Sequence, residues 1–567
     1  MPFGAGNEAR KMTFKRLKKY SFADWILPVA LLLVGGFHEY ISCGLSIAMC
    51  IYLLVRLFQK ELRIRRDFLT SGVVALCLGY ALSCIWGVDS GMSFVGFLKF
   101  LPVFLYTLCI QQNEEPRRGL ELLPWFAVGM AAVSAIGMLF PGGERYFAVA
   151  GRLAGFFQYP NTFAVFLLVC QLLVLKKPGK KVADYILIAL LVAALLYTGS
   201  RTAFIVALLA NFGMLLVLTK KKVRILSLSI LGGVVLIGLI FALNPNSVLN
   251  RYLSISLTES TFVGRLLYWQ DALTLLIRNP FGLGYMGYYY AQQSVQTGVY
   301  TVAYLHNDLL QLILDTGWVP AAIFFAALIK WFCSKTVSGA DKIVVGALCL
   351  HSFFDFNFQF VGMFFLLILL VTPATYDKHL TVKPKPVLKI AFALTAAVSL
   401  YMGASLMLAH LGQRQWADRL YPGNTQNKLA ILQETTDLEE ANRLAEDILE
   451  QNTQFYAPYS IRAKYCYSQG DFASVIDYAR AALERNPFDH REYEAYCRML
   501  LVGMDLYKKA GDTASAEFCR KELLAVAQQL ADNADRLSTL GRKINDQPVL
   551  ELPRDLQQEI ARLGGSK

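Results

Sequence analysis

Residues 182–219 read VADYILIALLVAALLYTGSRTAFIVALLANFGMLLVLT. Two apolar runs, 182–198 and 202–219, are parted only by a polar turn. Each approaches the roughly 20 mostly apolar residues that carry a helix across a bilayer. In hydrocarbon every backbone polar group must be bonded within its own segment, so such runs are helical. Working outward, similar runs lie at 22–38, 41–58, 68–88, 92–110, 119–140, 161–176, 223–243, 309–330, 342–357, 358–376 and 387–410. The whole chain agrees with them. Its 567 residues are 55% hydrophobic and 17% charged, where an average globular chain carries about a quarter charged residues. Mean hydropathy is +0.41. Disordered, collagen-like and small disulfide-rich classes are excluded. The expected fold class is all-α: a polytopic helical membrane protein of 12–13 spans followed by a C-terminal helical repeat domain.

The break in character falls near residue 410. Residues 411–567 hold 20 Lys+Arg and 24 Asp+Glu, and no run there is long enough to span. The expected domains are therefore 1–410, membrane, with a long outer loop 244–308, and 411–567, soluble. The chain is +13 overall, so the membrane part carries +17. With the N-terminus inside, as Lys11, Lys15, Arg16, Lys18 and Lys19 suggest, the inner loops hold 28 Lys+Arg. The outer loops hold six: Arg145, Arg152, Arg201, Arg251, Arg265 and Arg278. That asymmetry is the positive-inside pattern, and it removes nucleic acid as the reason for the positive charge. The basic start and first apolar run lack a small-x-small cleavage site, so they read as a retained first span. Thirteen spans place the C-terminal domain outside.

That domain contains DLEEANRLAEDILEQN at 437–452 and DFASVIDYARAALERN at 471–486, an offset of 34 residues. A 34-residue helix–turn–helix period is the tetratricopeptide signature. A further copy, AGDTASAEFCRKELL, follows at an offset of 41 and departs from the period. Such a unit either docks a protein partner or packs as a spacer on the membrane part. Cys466, Cys497 and Cys519 are too loosely spaced for a metal or disulfide framework.

Unusual residues collect on the outer face. A 65-residue loop, 244–308, is far longer than most connections and is rich in aromatics and glycine, which favours a folded element. Arg201 begins a span in TGSRTAF. A cation in the first helical turn opposes the helix dipole unless an anion is bound there; an interfacial arginine reaching lipid head groups is the other reading. Arg265 lies in the amphipathic VGRLLYWQDAL, where Asp271 or lipid phosphate is an available partner. His306, in YLHNDLLQLILDTGW, precedes a helix start that Asn307 or Asp308 caps. It suits a base, a hydrogen-bonding residue or a plain interfacial side chain. His351 and Asp355 are four apart and share a helix face. Asp315 falls within a span, where an ionisable residue suggests function. No HExxH, CxxC, Walker or Rossmann pattern occurs, so neither a metal nor a nucleotide cofactor is expected.

TGSR at a span start, GRLLYWQDAL in the long outer loop, then NPFGLGY and HNDLLQLILDTG, taken in this order, resemble the O-antigen ligase and polymerase superfamily of bacterial membrane glycosyltransferases. The resemblance covers roughly residues 150–375. It implies metal-independent transfer of a glycan from an undecaprenyl-pyrophosphate-linked donor to a glycan, lipid or protein acceptor, at the outer face of the bacterial cytoplasmic membrane. It implies that Arg201 and Arg265 hold the pyrophosphate and that His306 activates the acceptor hydroxyl. Asp355 and Arg152, the latter in GRLAGFFQYPN, match supporting positions, with His351 beside Asp355. Physically, arginine forks suit phosphate and a neutral histidine can take a hydroxyl proton. Two other classes compete. A flippase of lipid-linked sugar needs ionisable residues deep in the spans, for which Asp24, Lys99 and Asp315 are the candidates. A scaffold needs only the repeat domain and an anchor.

Overall fold

The computed structural model describes residues 20–59, 61–218, 221–244, 247–256, 258–374, 379–544 and 550–565. The basic segment 1–19 lies outside the described residues, as do Lys60, Lys220 and Lys378 of the inner loops. The protein is an all-α polytopic membrane protein. Five helices among the described residues are long and apolar enough to cross a bilayer: Glu39–Gln59, Phe68–Trp86, Ser90–Ile110, Pro116–Gly137 and Pro386–His410. Shorter apolar helices include Phe22–Leu32, Val182–Tyr197, Arg201–Val217 and Trp318–Cys333.

Two short helices form the centre. In Pro160–Leu175 nearly every residue is buried, and in Val361–Val371 every one is. A helix that is apolar all round has no face for water or lipid and belongs inside a bundle. The polar residues that precede or open these two helices, Tyr159, Asn161 and Asp355, are thereby carried into the interior.

Loops that the charge pattern groups on one face also meet in space. The strand Leu62–Ile64 pairs antiparallel with Leu380–Val382. Arg117 and Lys176 both reach Asp341, at 3.1 and 2.5 Å. On the opposite face, Asp89 accepts a hydrogen bond from Asn452 at 3.2 Å.

The run 309–330 is not one helix. It is broken into Asp308–Thr316 and Trp318–Cys333 at Gly317, whose φ is +87°. Any side chain would be strained at that φ, and a Cβ there would lie 2.6 Å from the Phe281 carbonyl carbon. The NPFGLGY segment docks into the break: Leu283 N donates to Leu314 O at 2.5 Å, and Trp318 N donates to Pro280 O at 3.0 Å. The long outer loop is folded. Its main helix, Ser260–Arg278, buries Val263, Leu267, Asp271 and Leu275, one stripe at four-residue spacing.

Beyond Pro386–His410 the chain continues in helices, Leu438–Gln451, Ala457–Ser468, Phe472–Arg485, His490–Lys509 and Thr513–Asp535 among them. Asp437, Asp471 and Asp512 cap three of these through their carboxylates. The intervening helix is 12 residues long in Ala457–Ser468 and 20 in His490–Lys509, which accounts for the stretch of the offset from 34 to 41. This unit rests on loops of the membrane part. Tyr421 OH donates to Gly91 O at 2.9 Å, Gln426 Nε2 to Tyr290 OH at 2.8 Å, and Ser538 N to Thr297 O at 2.9 Å.

Candidate functional site

Asp355 is the hub. It lies in the connection between the Gly339–Ser352 and Val361–Val371 helices and is fully buried. Tyr159 OH donates to Oδ1 at 2.9 Å, Asn161 Nδ2 to Oδ2 at 2.8 Å, and Phe356 N to Oδ1 at 2.9 Å. Arg265 Nη2 lies 3.4 Å from Oδ2, and His306 Nδ1 lies 3.4 Å from Oδ1. A buried carboxylate persists only where hydrogen bonds and cations compensate its lost hydration. The shared helix face expected of His351 and Asp355 does not exist, because the helix carrying His351 ends at Ser352 and the chain turns through Phe353 and Phe354. His351 Nδ1 faces Asn357 Nδ2 at 2.9 Å, and Asn357 in turn accepts from Thr162 Oγ1 at 3.0 Å. His351 therefore braces the connection that holds Asp355.

Arginines surround the TGSRT turn. Arg152 Nε donates to Thr198 O at 2.8 Å, and its Nη2 donates to Asn161 Oδ1 at 2.6 Å. Asn161 thus links Arg152 to Asp355. Arg251 Nε donates to Gly199 O at 3.4 Å, and Arg265 Nη1 to Thr202 Oγ1 at 3.5 Å. Arg201, at the start of its helix behind the Ser200 cap, pairs with Glu259 and donates to Ser254 O at 3.4 Å. Four guanidinium groups therefore face two carboxylates, Asp355 and Glu259. Burial and then the neighbouring Arg251 charge lower the Arg152 pKa below its ordinary value, the mark of cations held against their own repulsion. An anion with more than one negative charge relieves that repulsion. Arg265 does not use Asp271, which instead accepts from Thr297 Oγ1 at 2.7 Å and Tyr300 OH at 3.0 Å and anchors the outer loop. Burial pushes the Asp271 carboxyl above its usual range despite those bonds.

His306 is held in a strained backbone, φ +54°. A non-glycine residue stays there only where its surroundings over-determine it, and such positions gather at functional sites. On one side Leu305 N donates to Gln311 Oε1 at 3.0 Å; on the other, Asn307 Oδ1 caps the helix by accepting from Leu310 N at 3.1 Å. The Asp308 carboxylate accepts from Phe358 N at 3.1 Å and ties this segment to the Asp355 connection. The imidazole lies edge-on to Phe356, centroids 4.8 Å apart, and stays 23% exposed. With Nδ1 turned toward the Asp355 carboxylate, Nε2 is the ring nitrogen left to meet a substrate.

Residues 186–325 match the family model described as O-Antigen ligase. No curated protein matches the chain. The matched segment holds Arg201, Arg251, Glu259, Arg265 and His306. Arg152, Tyr159, Asn161 and Asp355 come from outside it, and the fold brings them in. The match supports glycan transfer of the O-antigen ligase or polymerase type, on lipid-linked substrates in a bacterial membrane. Sequence reasoning gave no role to Tyr159, Asn161 and Glu259, and counted Arg251 only among the outer arginines. The first two were marked only by a polar pair around Pro160 at the head of an apolar run, and Glu259 only by an acid just before an arginine-bearing helix.

Proposed function

We propose that the protein transfers a glycan from an undecaprenyl-pyrophosphate carrier to an acceptor hydroxyl at the outer face of the cytoplasmic membrane, as an O-antigen ligase-like enzyme or a polysaccharide polymerase. The observation that carries this reading is the convergence of His306 and Arg265 on one buried carboxylate, with Arg152, Arg201 and Arg251 grouped beside them. The acceptor hydroxyl gives its proton to His306 Nε2, and its oxygen forms the new bond to the anomeric carbon. The bond from that carbon to the pyrophosphate oxygen breaks, and its electron pair leaves on the pyrophosphate. Arg201 and Arg265 hold that developing charge in a site screened from water. Asp355 steadies the imidazolium formed at His306. Glu259 occupies the Arg201 guanidinium until phosphate displaces it. The cations needed are all arginines, so the reading requires no metal. In this reading the N-terminus is cytoplasmic, and the C-terminal helices form an extracytoplasmic tetratricopeptide-like unit.

The transport alternative gains nothing from its candidate residues. Lys99 is bonded to Glu39 and Tyr285, Asp315 to Tyr80 and Gln311, and Asp24 to Ser21. The test is turnover of purified protein on lipid-linked oligosaccharide with acceptor, read as release of undecaprenyl pyrophosphate. His306→Ala and Arg265→Ala should each abolish it; full turnover in either overturns the assigned roles.

A further inference from the structure

We propose that a cavity reached from His306 through the rings of Phe356 and Tyr304 binds sugar residues of the acceptor glycan, and that the C-terminal unit completes it. The identity of the ligand rests on the glycan-transfer reading above. The cavity measures about 280 Å³, near the lower end of the roughly 300–1,000 Å³ typical of small-molecule sites. It lies where the first outer turn (His38, Glu39, Tyr40) meets His410 and, from the C-terminal unit, Arg414 and Asn427.

Its lining is that of a sugar site. His38 stacks on Tyr40 with centroids 5.4 Å apart and lies 4.6 Å from His410, giving flat faces for the C–H side of a sugar ring. The Glu39 carboxylate is fixed by Lys99 Nζ at 3.3 Å and by Tyr285 OH. Glu39 accepts and Arg414 donates, and an amide does both, which matches hydroxyls that each donate and accept. Asn427 supplies the second, independent sign. It is 4% exposed, and its Nδ2 is spent on Arg414 O at 2.9 Å. Its Oδ1 has no hydrogen-bond partner among the described residues. A buried acceptor left unbonded costs about 1–3 kcal/mol, so such groups are normally satisfied, here by a ligand hydroxyl.

Two aromatic rings separate the cavity from the base. Tyr304 lines the cavity, and the Tyr304 ring lies 5.2 Å from Phe356, which in turn meets both His306 and Tyr159 at 4.8 Å. Arg265 meets the same histidine through the shared Asp355 carboxylate. The donor arginine and the cavity are thus both linked to one histidine, an arrangement that suits transfer between two bound substrates. Glu39 is paired with Lys99 and Arg414 with Glu434 at 3.0 Å, which leaves no surplus charge for a phosphate, and the polar lining does not suit a lipid tail.

The experiment uses the full chain in lipid nanodiscs. Calorimetry follows binding of short oligosaccharides cut from the producing cell's own envelope glycan, beside binding of undecaprenyl pyrophosphate. The saccharide should bind the unaltered protein. Asn427→Leu and Tyr40→Leu should each weaken it about tenfold, the worth of one hydrogen bond or ring face, with carrier binding unchanged; thermal melting checks that each variant is folded. Arg265→Ala should weaken only the carrier. No saccharide binding to the unaltered protein, or unchanged binding in both folded variants, overturns the inference. Saccharide binding with no carrier binding to the unaltered protein would count against the donor site alone.

Discussion

Replacing Asp355 by asparagine tests the site most sharply, because shape is kept and one charge is removed. Every group around the carboxylate is a donor or a cation: Tyr159, Asn161, the Phe356 amide, Arg265 and His306. An amide has one accepting oxygen, so its NH2 must face donors on one side. At 3.4 Å a unit ion pair has a gross Coulomb energy of roughly 5 kcal/mol at an effective dielectric of about 20. Desolvation of the carboxylate offsets part of it, and removing one partner of a buried pair typically costs about 3–5 kcal/mol. Arg265 keeps 15% exposure and its contact to Thr202, so the lower end applies. Stability should therefore fall by about 3 kcal/mol. Turnover should fall about 10²–10⁴-fold, the worth of a positioned base, because Nδ1 of His306 loses its anion. Donor binding should move the other way. The site becomes more positive by one charge, so undecaprenyl pyrophosphate should bind as well as before or more tightly. Release of the carrier gives turnover, and calorimetry on nanodiscs gives binding. Loss of carrier binding with the turnover of the bound fraction intact would refute the assignment of Asp355 to the histidine side of the chemistry.

Further expectations are simpler. Glu259→Gln frees the Arg201 guanidinium from its ion pair, so the carrier should bind severalfold more tightly at low salt, an effect that added salt diminishes. Chelation with EDTA should leave turnover unchanged, since arginines carry the charge; a loss restored by one metal ion would overturn the metal-free chemistry. Gly317→Ala places a Cβ at φ +87° against Phe281 and should lower stability by about 1–3 kcal/mol, seen as a lower melting temperature. In the C-terminal unit, burial raises the Glu522 pKa, but the hydrogen bonds from Arg480 and Tyr496 outweigh it and leave the carboxyl below its ordinary value. A depressed pKa stabilises the fold above the unfolded value and stops doing so as pH falls through the folded value. Acid should therefore lower the melting temperature, and Glu522→Gln should flatten that dependence.

Much of the site was legible in the sequence. On residue type alone Arg201 and His306 each had a plainer interfacial reading, and it was the order of the motifs that carry them that made them candidates. Arg265 was visible as a cation on an amphipathic helix, but its partner was not. The nearby Asp271 was the local candidate, and the real partner lies 90 residues along the chain. Asp355 was misplaced on the helix of His351 because periodicity does not mark where a helix stops, and the turn after Ser352 is made of phenylalanines that read as more span. The run 309–330 read as one helix for a similar reason. A glycine inside an apolar run is tolerated in a membrane helix, and only the docking of residues 280–283 makes Gly317 a break.

The division has a physical cause. Apolar length and loop charge act on each segment separately, so the sequence alone determined a many-span helical membrane protein with an acidic helical unit at its C-terminal end. The capping aspartates of that unit are local too. Which outer residues share a site depends on the packing of helices far apart in the chain. Two fully buried helices carry Asn161 at the head of one and Asp355 just before the other, and the long outer loop folds back to add Arg265 and His306. That convergence, and the cavity that the C-terminal unit closes beside it, exist only in the tertiary structure.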